Sequence, residues 1–311
     1  MTSPLISVVI PAYNHEQYVG DAVKSVLEQT VSDLELIVVN DGSTDRTGDV
    51  VQGYTDPRLR YYYQENQDAY NTINRGISLS EGKYIAILNS DDIYTPDRLE
   101  RLLKHSQDEK KVCTFSDVIP IDDQNREFTD QEIGWNVWHR KNRDFYFSQN
   151  DIYTAFLHGN FMVTTSNLFM TAEAAERVGP FSSLRYLHDY DYIFRMIRIY
   201  SQRVSYLHNE RLLYYRIHGG NTLSEAAVTG REQDRELIEK YMLAAVPETY
   251  HRYVSAGSRR LVEIEKELNQ VRQQLQVPQP EGVRPALRKL QEALMVWIKK
   301  KCGRTASDTQ R

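Results

Sequence analysis

The apolar run Tyr84, Ile85, Ala86, Ile87, Leu88 and the polar step that ends it, Asn89, Ser90, Asp91, Asp92, constrain this 311-residue chain more than any other stretch. Five apolar residues between turn signals suit a strand buried on both faces, as in the core of a parallel sheet. No basic residue stands among the four that follow. Two adjacent carboxylates at a strand's end repel each other. A divalent cation removes that cost, and hard oxygen ligands favour Mn2+ or Mg2+, ions commonly shared with substrate phosphates. Turn and capping duty is the other use for such residues. Thr95 and Pro96 then mark the cap and first turn of a helix.

The chain before this strand repeats one plan. Leu5 to Ile10 is a continuous apolar strand closed by Pro11, and Tyr18 to Leu27 carries apolar residues at helical spacing. Leu34 to Val39 is a second strand, followed by the cap-rich turn NDGSTD at 40–45 and a short helix toward Gly53. Leu59 to Tyr63 makes a third strand and Ala69 to Leu79 a helix. Strands alternating with helices imply an α/β fold with a mostly parallel sheet, and ligands gather at its carboxyl edge. PAYN at 11–14, NDGSTD at 40–45 and NSDD at 89–92 each follow a strand, so one cleft is expected to collect all three.

After a strand at Val112 to Phe115 the pattern loosens. Asp122 to Phe147 mixes two tryptophans with many charges and reads as an irregular insertion or hairpin. Phe161 to Thr171 is expected as a strand, and Ala172 to Val178 as a helix ended by Gly179 and Pro180. His188 to Tyr200 carries Ile193, Met196, Ile197 and Tyr200 at helical spacing, with Asp189 and Asp191 in the first turn, where the helix dipole favours acids. Two residues apart on a helix, these acids point in nearly opposite directions, so only one of them faces a cleft. Arg211 to His218 reads as the last strand.

From about Ser224 the chain is helical and highly charged, which divides it into a compact domain, 1–222, and a helical extension, 223–311. Leu261, Ile264, Leu268, Val271 and Leu275 alternate at spacings of three and four, the seam of a short coiled coil and a route to a homo-oligomer. Pro278 and Pro280 break it. Beyond them Leu287, Leu290, Leu294, Trp297 and Ile298 share one face of a basic amphipathic helix, suited either to peripheral contact with an anionic membrane or to packing on protein. The mild acidity, net charge −5, gives no global footprint for nucleic acid. Cys113 and Cys302 form neither a disulfide framework nor a zinc site. No stretch approaches the roughly 20 apolar residues that span a bilayer. A cytoplasmic location is expected, with peripheral attachment to the inner face of the membrane if the basic helix binds there.

Neither GxGxxG nor GxxxxGK[ST] is present, which removes the main support for dinucleotide and P-loop readings. PAYN, NDGSTD, LNSDD, HDYD at 188–191 and YYRIH at 214–218, in this order and at these intervals, resemble family two of the glycosyltransferases, with the GT-A fold. The resemblance covers residues 5 to 220. It implies an inverting, metal-dependent transferase that moves a sugar from a nucleoside diphosphate, often uridine-linked, to a glycan or lipid-linked glycan, as in surface polysaccharide synthesis. Transfer to a lipid phosphate, or a catalytically silent module working through its coiled coil, are the alternatives.

By the same resemblance Pro11, Ala12 and Tyr13 line the nucleobase and Asp41 hydrogen-bonds it. Asp91 lies toward the ribose or donor sugar and Asp92 on the metal, with Ser90 in the first position of the DxD-type motif. Asp189 is the general base, which the helix dipole is expected to hold ionised, and Arg216 and His218 form a polar pair near the diphosphate, His218 also as a metal ligand. The sequence departs from the family pattern at His188, in place of a glutamate, and at Asp68, in place of a glycine on the donor side. An arginine common near Ile73 is also absent.

Overall fold

The computed structural model describes residues 3–132, 134–218 and 227–276. Its first half builds as the sequence implies. Strands β1 (Ile6–Ala12), β2 (Leu34–Asp41), β3 (Leu59–Gln64) and β4 (Tyr84–Ile87) alternate with helices α1 (Val19–Leu27), α2 (Thr47–Gln52) and α3 (Asp68–Ser78). These strands are parallel, in the spatial order β3, β2, β1, β4. Strand β1 therefore lies between its successor β2 and the later β4. The crevice outside the carboxyl ends at such a reversal is where open α/β sheets bind ligands.

The second half is mixed. Strand β5 (Ile93–Tyr94) and helix α4 (Arg98–Asp108) lead to β6 (Cys113–Ile121), and after helices α5 (Gly134–Gln149) and α6 (Ile152–His158) come β7 (Phe169–Thr171), α7 (Ala172–Val178), α8 (His188–Tyr200) and β8 (Val204–Arg216). Short β7 runs antiparallel between β4 and β6, while β8 pairs parallel with β6 and antiparallel with β5. Two expectations fail here. The stretch 122–147 is largely the helix α5, and only the end of Phe161 to Thr171 is strand; the rest is a loop with a 3-10 turn at Thr165–Asn167. Phe161, Thr164 and Thr165 of that loop are buried without strand pairing, because Asn167 supplies the hydrogen bonds that a ladder would, to Ser116 O (2.8 Å) and Met162 O (2.9 Å).

Two apolar cores sandwich the sheet, and the central strand alternates between them. Ile85 and Ile87 join Ile73, Phe115, Phe156, Ile193 and Met196 on one side. Ala86 and Leu88 join Ile6, Val8, Ile10, Val23 and Leu99 on the other. Where α3 crosses β1 the approach is so close that a Cβ on Gly76 would lie 2.1 Å from Val9 Cγ1. No side chain larger than hydrogen fits there.

The chain divides into two compact units, Met1–Arg259 and Arg260–Arg311, so the boundary expected at 222 falls inside the first. Within that unit helix α9 (Ala227–Leu237) and a π-helical turn (Ile238–Met242) pack on the sheet domain. Leu237 and Tyr241 are buried, Tyr241 stacks on Phe194 at 4.5 Å, and Gln233 Oε1 accepts from the Tyr186 (3.0 Å) and Leu187 (3.3 Å) amides. A charged, helical composition concealed this because three anchoring side chains suffice for docking. In the second unit Leu261, Ile264, Leu268 and Val271, on helix α10 (Glu248–Gln276), are exposed. The basic helix expected after Pro280 lies outside the described residues. Among those residues no helix is long and apolar enough to cross a membrane.

Candidate active site

A cleft of about 780 Å³ opens at the carboxyl edge of the sheet, where the loops after β1, β2 and β4 meet the loop before β7 and the start of α8. Hydrogen bonds stitch the first two loops together. Asn14 donates its amide to Ser43 Oγ (3.0 Å) and accepts from the Thr44 amide (2.8 Å). The His15 amide donates to Thr47 Oγ1 (2.8 Å), and the Glu16 amide to Asp45 Oδ2 (3.0 Å). Both turns need left-handed residues, Asn14 at φ 50° and Gly42 at φ 74°, and Asn and Gly are the residues that tolerate it.

The adjacent acids of β4's loop part ways. Asp91 Oδ2 faces His218 Nε2 at 3.1 Å, and donor atoms of His15, Asp91 and His218 all lie within 4.8 Å of one another. Asp92 also lines the cleft but is only 1% exposed, accepting from Ser166 Oγ (2.5 Å), Thr164 Oγ1 (3.4 Å) and the Arg216 amide (2.9 Å). Burial, and then the charge of Asp91, push the Asp92 carboxyl well above the usual carboxylate range. Burial also acts on Asp91, but the hydrogen bond from His218 and the nearby imidazoles outweigh it and hold its carboxyl low. Asp91 thus faces the two imidazoles, whereas Asp92, expected on the metal, is engaged by Ser166, Thr164 and the Arg216 amide. Two imidazoles with one carboxylate are a donor set that fits a divalent cation.

The wall behind Asp92 is strained. Val163, a β-branched residue lining the cleft, sits at φ 79°, a conformation that costs on the order of 1–3 kcal/mol. Its neighbours over-determine it. Thr164 accepts from Asn89 Nδ2 (3.0 Å), Ser166 from the Asn89 amide (2.9 Å), and Asn167 grips Met162 O (2.9 Å).

The acids of α8 also separate. Asp189 reaches the cleft, accepting from the Tyr190 amide (2.7 Å) and Asn160 Nδ2 (3.1 Å). Burial raises its pKa, and the neighbouring His188 and these donors only partly oppose the shift. The helix dipole was expected to help hold this carboxylate ionised; desolvation works against it. Asp191 points inward, fully buried, and accepts from Lys240 Nζ (2.6 Å), Tyr241 OH (2.6 Å), Ser182 Oγ (2.7 Å) and Arg195 Nε (2.8 Å). Against the upward push of burial, these donors hold it at about 2. His188 Nδ1 donates to Leu184 O (3.1 Å), and its Nε2 lies 3.2 Å from Thr165 Oγ1.

On the donor side Pro11, Ala12, Tyr13, Asp41 and Asp68 all line the cleft. Asp41 accepts from Gln64 Nε2 (2.6 Å) and the Gln67 amide (3.0 Å), and a carboxylate with about four lone-pair sites has room for a further donor. Asp68 has φ 67°, which accounts for the glycine that the resemblance led one to expect there. It pairs with Arg185 at 3.1 Å. Arg216 is placed differently from expectation. Its guanidinium, 1% exposed, donates to Asp91 O (2.8 Å), Asp122 O (2.7 Å) and Asn125 Oδ1 (2.6 Å) and stacks on Tyr18 (4.7 Å). These bonds tie the β4 loop to the β6–α5 loop, and the side chain is absent from the cleft lining.

Sequence reasoning missed His15 and Arg185. The first was legible as a titratable residue immediately after the PAYN turn. The second, in the loop between α7 and α8, carried no local signal.

A family profile described as Glycosyl transferase family 2 matches residues 7–169. An uncharacterized glycosyltransferase of Rickettsia typhi is 32% identical over 241 residues, covering 72% of this chain and 67% of that protein. Among solved structures, TarS of S. aureus in complex with UDP-GlcNAc aligns with a TM-score of 0.60 at 18% identity, over 83% of this chain and 72% of that one. The mannosyltransferase PcManGT of Pyrobaculum calidifontis, in complex with GDP-Man and Mn2+, aligns with a TM-score of 0.56 at 16% identity, over 95% of this chain and 81% of that one. These two likenesses establish the GT-A type fold.

Proposed function

The chain belongs to glycosyl transferase family 2, and from that premise we propose that it transfers a sugar, with inversion, from a nucleoside-diphosphate sugar to a glycan hydroxyl with the help of a divalent cation. One observation carries the reading: a single cleft holds Asp41, the Asp91–His218 pair and Asp189 together. Complexes of structural neighbours with UDP-GlcNAc, GDP-Man and Mn2+ support the classes of donor and ion.

Each role follows from chemistry. Pro11 to Tyr13 offer the nucleobase a flat surface, and Asp41 accepts a hydrogen bond from its edge. Asp91 and His218, with His15 beside them, would hold the cation, which when bound neutralises charge growing on the leaving diphosphate. Arg185, an exposed cation in the cleft, takes the place of the diphosphate-facing arginine missing near Ile73. Asp189 takes the acceptor hydroxyl's proton as the oxygen attacks the anomeric carbon from the face opposite the diphosphate. Its raised pKa helps, because a general base works best when its pKa approaches the working pH. Tyr186 and Tyr215 line the cleft as well, and their apolar faces with polar tips suit a sugar ring.

The test is turnover. Purified protein is incubated with Mn2+, an acceptor panel of surface-polysaccharide fragments and a series of UDP- and GDP-linked sugars, following nucleotide release and product stereochemistry by NMR. At least one donor should be consumed, with the anomeric configuration inverted and the rate abolished by chelator. A retained configuration, or a rate indifferent to chelator, would refute the mechanism.

A further inference from the structure

His15 occupies an unusual post for a loop residue. Its backbone is fixed by Thr47, and its ring stands edge-on to Tyr18 (5.7 Å) and to His218 (6.0 Å). Its Nδ1 lies 2.7 Å from the hydroxyl of Ser90, which is itself 2% exposed. With Nδ1 engaged, Nε2 is the nitrogen left for another partner. A metal-binding imidazole typically has its second nitrogen held in this manner, which fixes both ring orientation and tautomer.

Building on the metal-dependent transfer proposed above, we propose that His15 is a third protein ligand of the cation, oriented by Ser90, and that the resulting two-imidazole, one-carboxylate site selects Mn2+ over Mg2+. Three observations converge on this. Donor atoms of His15, Asp91 and His218 lie within 4.8 Å of one another, the spacing of ligands around one ion. Asp92, the acid next in sequence, has its two oxygens engaged by Ser166 and the Arg216 amide, so Asp91 is the carboxylate grouped with the two imidazoles. At position 90, where an acid would add charge, a serine holds an imidazole instead. The set carries one formal negative charge and two nitrogen donors. Mg2+ prefers oxygen ligands and water, whereas imidazole donors favour first-row transition ions.

The experiment is Mn2+ binding followed by EPR with pulsed detection of ¹⁴N couplings, on the full chain with UDP and, separately, with GDP. The expected wild-type spectrum shows two coordinated imidazoles, and His15→Ala and His218→Ala each show one. Ser90→Ala should weaken Mn2+ binding by about 10- to 100-fold, the usual consequence of losing a partner that orients a ligand. Competition with Mg2+ should displace Mn2+ from His15→Ala at least tenfold more readily than from wild type. A wild-type spectrum with a single imidazole overturns the proposal while leaving metal-dependent transfer intact, and it does so whether or not any variant folds. A His15→Ala protein with native circular dichroism and an unchanged spectrum overturns it too. Absence of bound Mn2+ with either nucleotide would instead remove the reading on which the proposal rests.

Discussion

Two pairs of acids, one after β4 and one at the start of α8, send members to the same cleft, and each pair divides its labour. At the end of β4 the outer acid, Asp91, meets imidazoles, while Asp92 is engaged by two hydroxyls and a backbone amide. At the start of α8 the outer acid, Asp189, has only a backbone amide and one asparagine, while Asp191 is clasped by four side-chain donors. The inner acids then differ in kind. Asp191 meets two cations and stays ionised; Asp92 meets mainly neutral donors beside another carboxylate, and its pKa rises. A buried carboxylate is therefore a strut or a silent neighbour according to the charge of its donors, not its depth.

The largest effect should come from the outer acid of the first pair. Asp91→Asn should abolish Mn2+ binding detectable by EPR and lower the transfer rate by on the order of 10³ or more, the share of a Lewis acid worth several kcal/mol. Wild-type rates in this variant would show the metal-facing post to lie elsewhere.

Next in size is Asp189→Asn. Transfer should fall by about 10² to 10³, within the range for general-base help, with donor affinity by calorimetry changed only a few fold. Because the folded-state pKa of Asp189 is raised, its contribution to stability is present below the unfolded value of about 3.9 and lost as pH climbs through the folded one. At neutral pH the ionised carboxylate is a burden on the fold, so the asparagine variant should melt no lower than wild type. The acid limb of kcat/KM should also lie above an ordinary aspartate's position and vanish in the variant.

For Asp191→Asn the signs reverse. The pKa is depressed to about 2, so its stabilisation is present above about 3.9 and lost between there and about 2. Removing the charge strands Arg195 and Lys240, and the cost should be about 3 kcal/mol, the low end for a broken buried pair because Lys240 is half exposed. Thermal melting reads this, while transfer well below the melting temperature should stay within a few fold. Loss of transfer in a folded Asp191→Asn protein would exchange the two roles on α8.

The smallest effect is expected from Asp92→Asn. An amide is close in shape to a carboxyl, keeps an oxygen for the Arg216 amide and offers its NH2 to Ser166. Mn2+ affinity and rate should stay within about tenfold, a range consistent with an indirect effect. A loss matching that of Asp91→Asn would put both acids on the ion.

What the sequence determined follows from local periodicity. The alternation of apolar strands and amphipathic helices from Leu5 to Leu88 specified the parallel half of the sheet, and the polar clusters that close three of its strands marked the cleft. On α8 the helical repeat separated Asp189 from Asp191 by about 200°, so only one of them could face the cleft, and the family resemblance, not the repeat, picked out Asp189. No such rule governs the turn after β4. There the direction of each carboxylate depends on Ser166, 74 residues away, on Arg216, 124 away, and on His218, 127 away. The docking of α9 and Tyr241 on α8 rests likewise on partners that share no period with it. Local geometry fixes where a side chain points only when the backbone repeats; where it turns, the donors that tertiary folding brings to it decide.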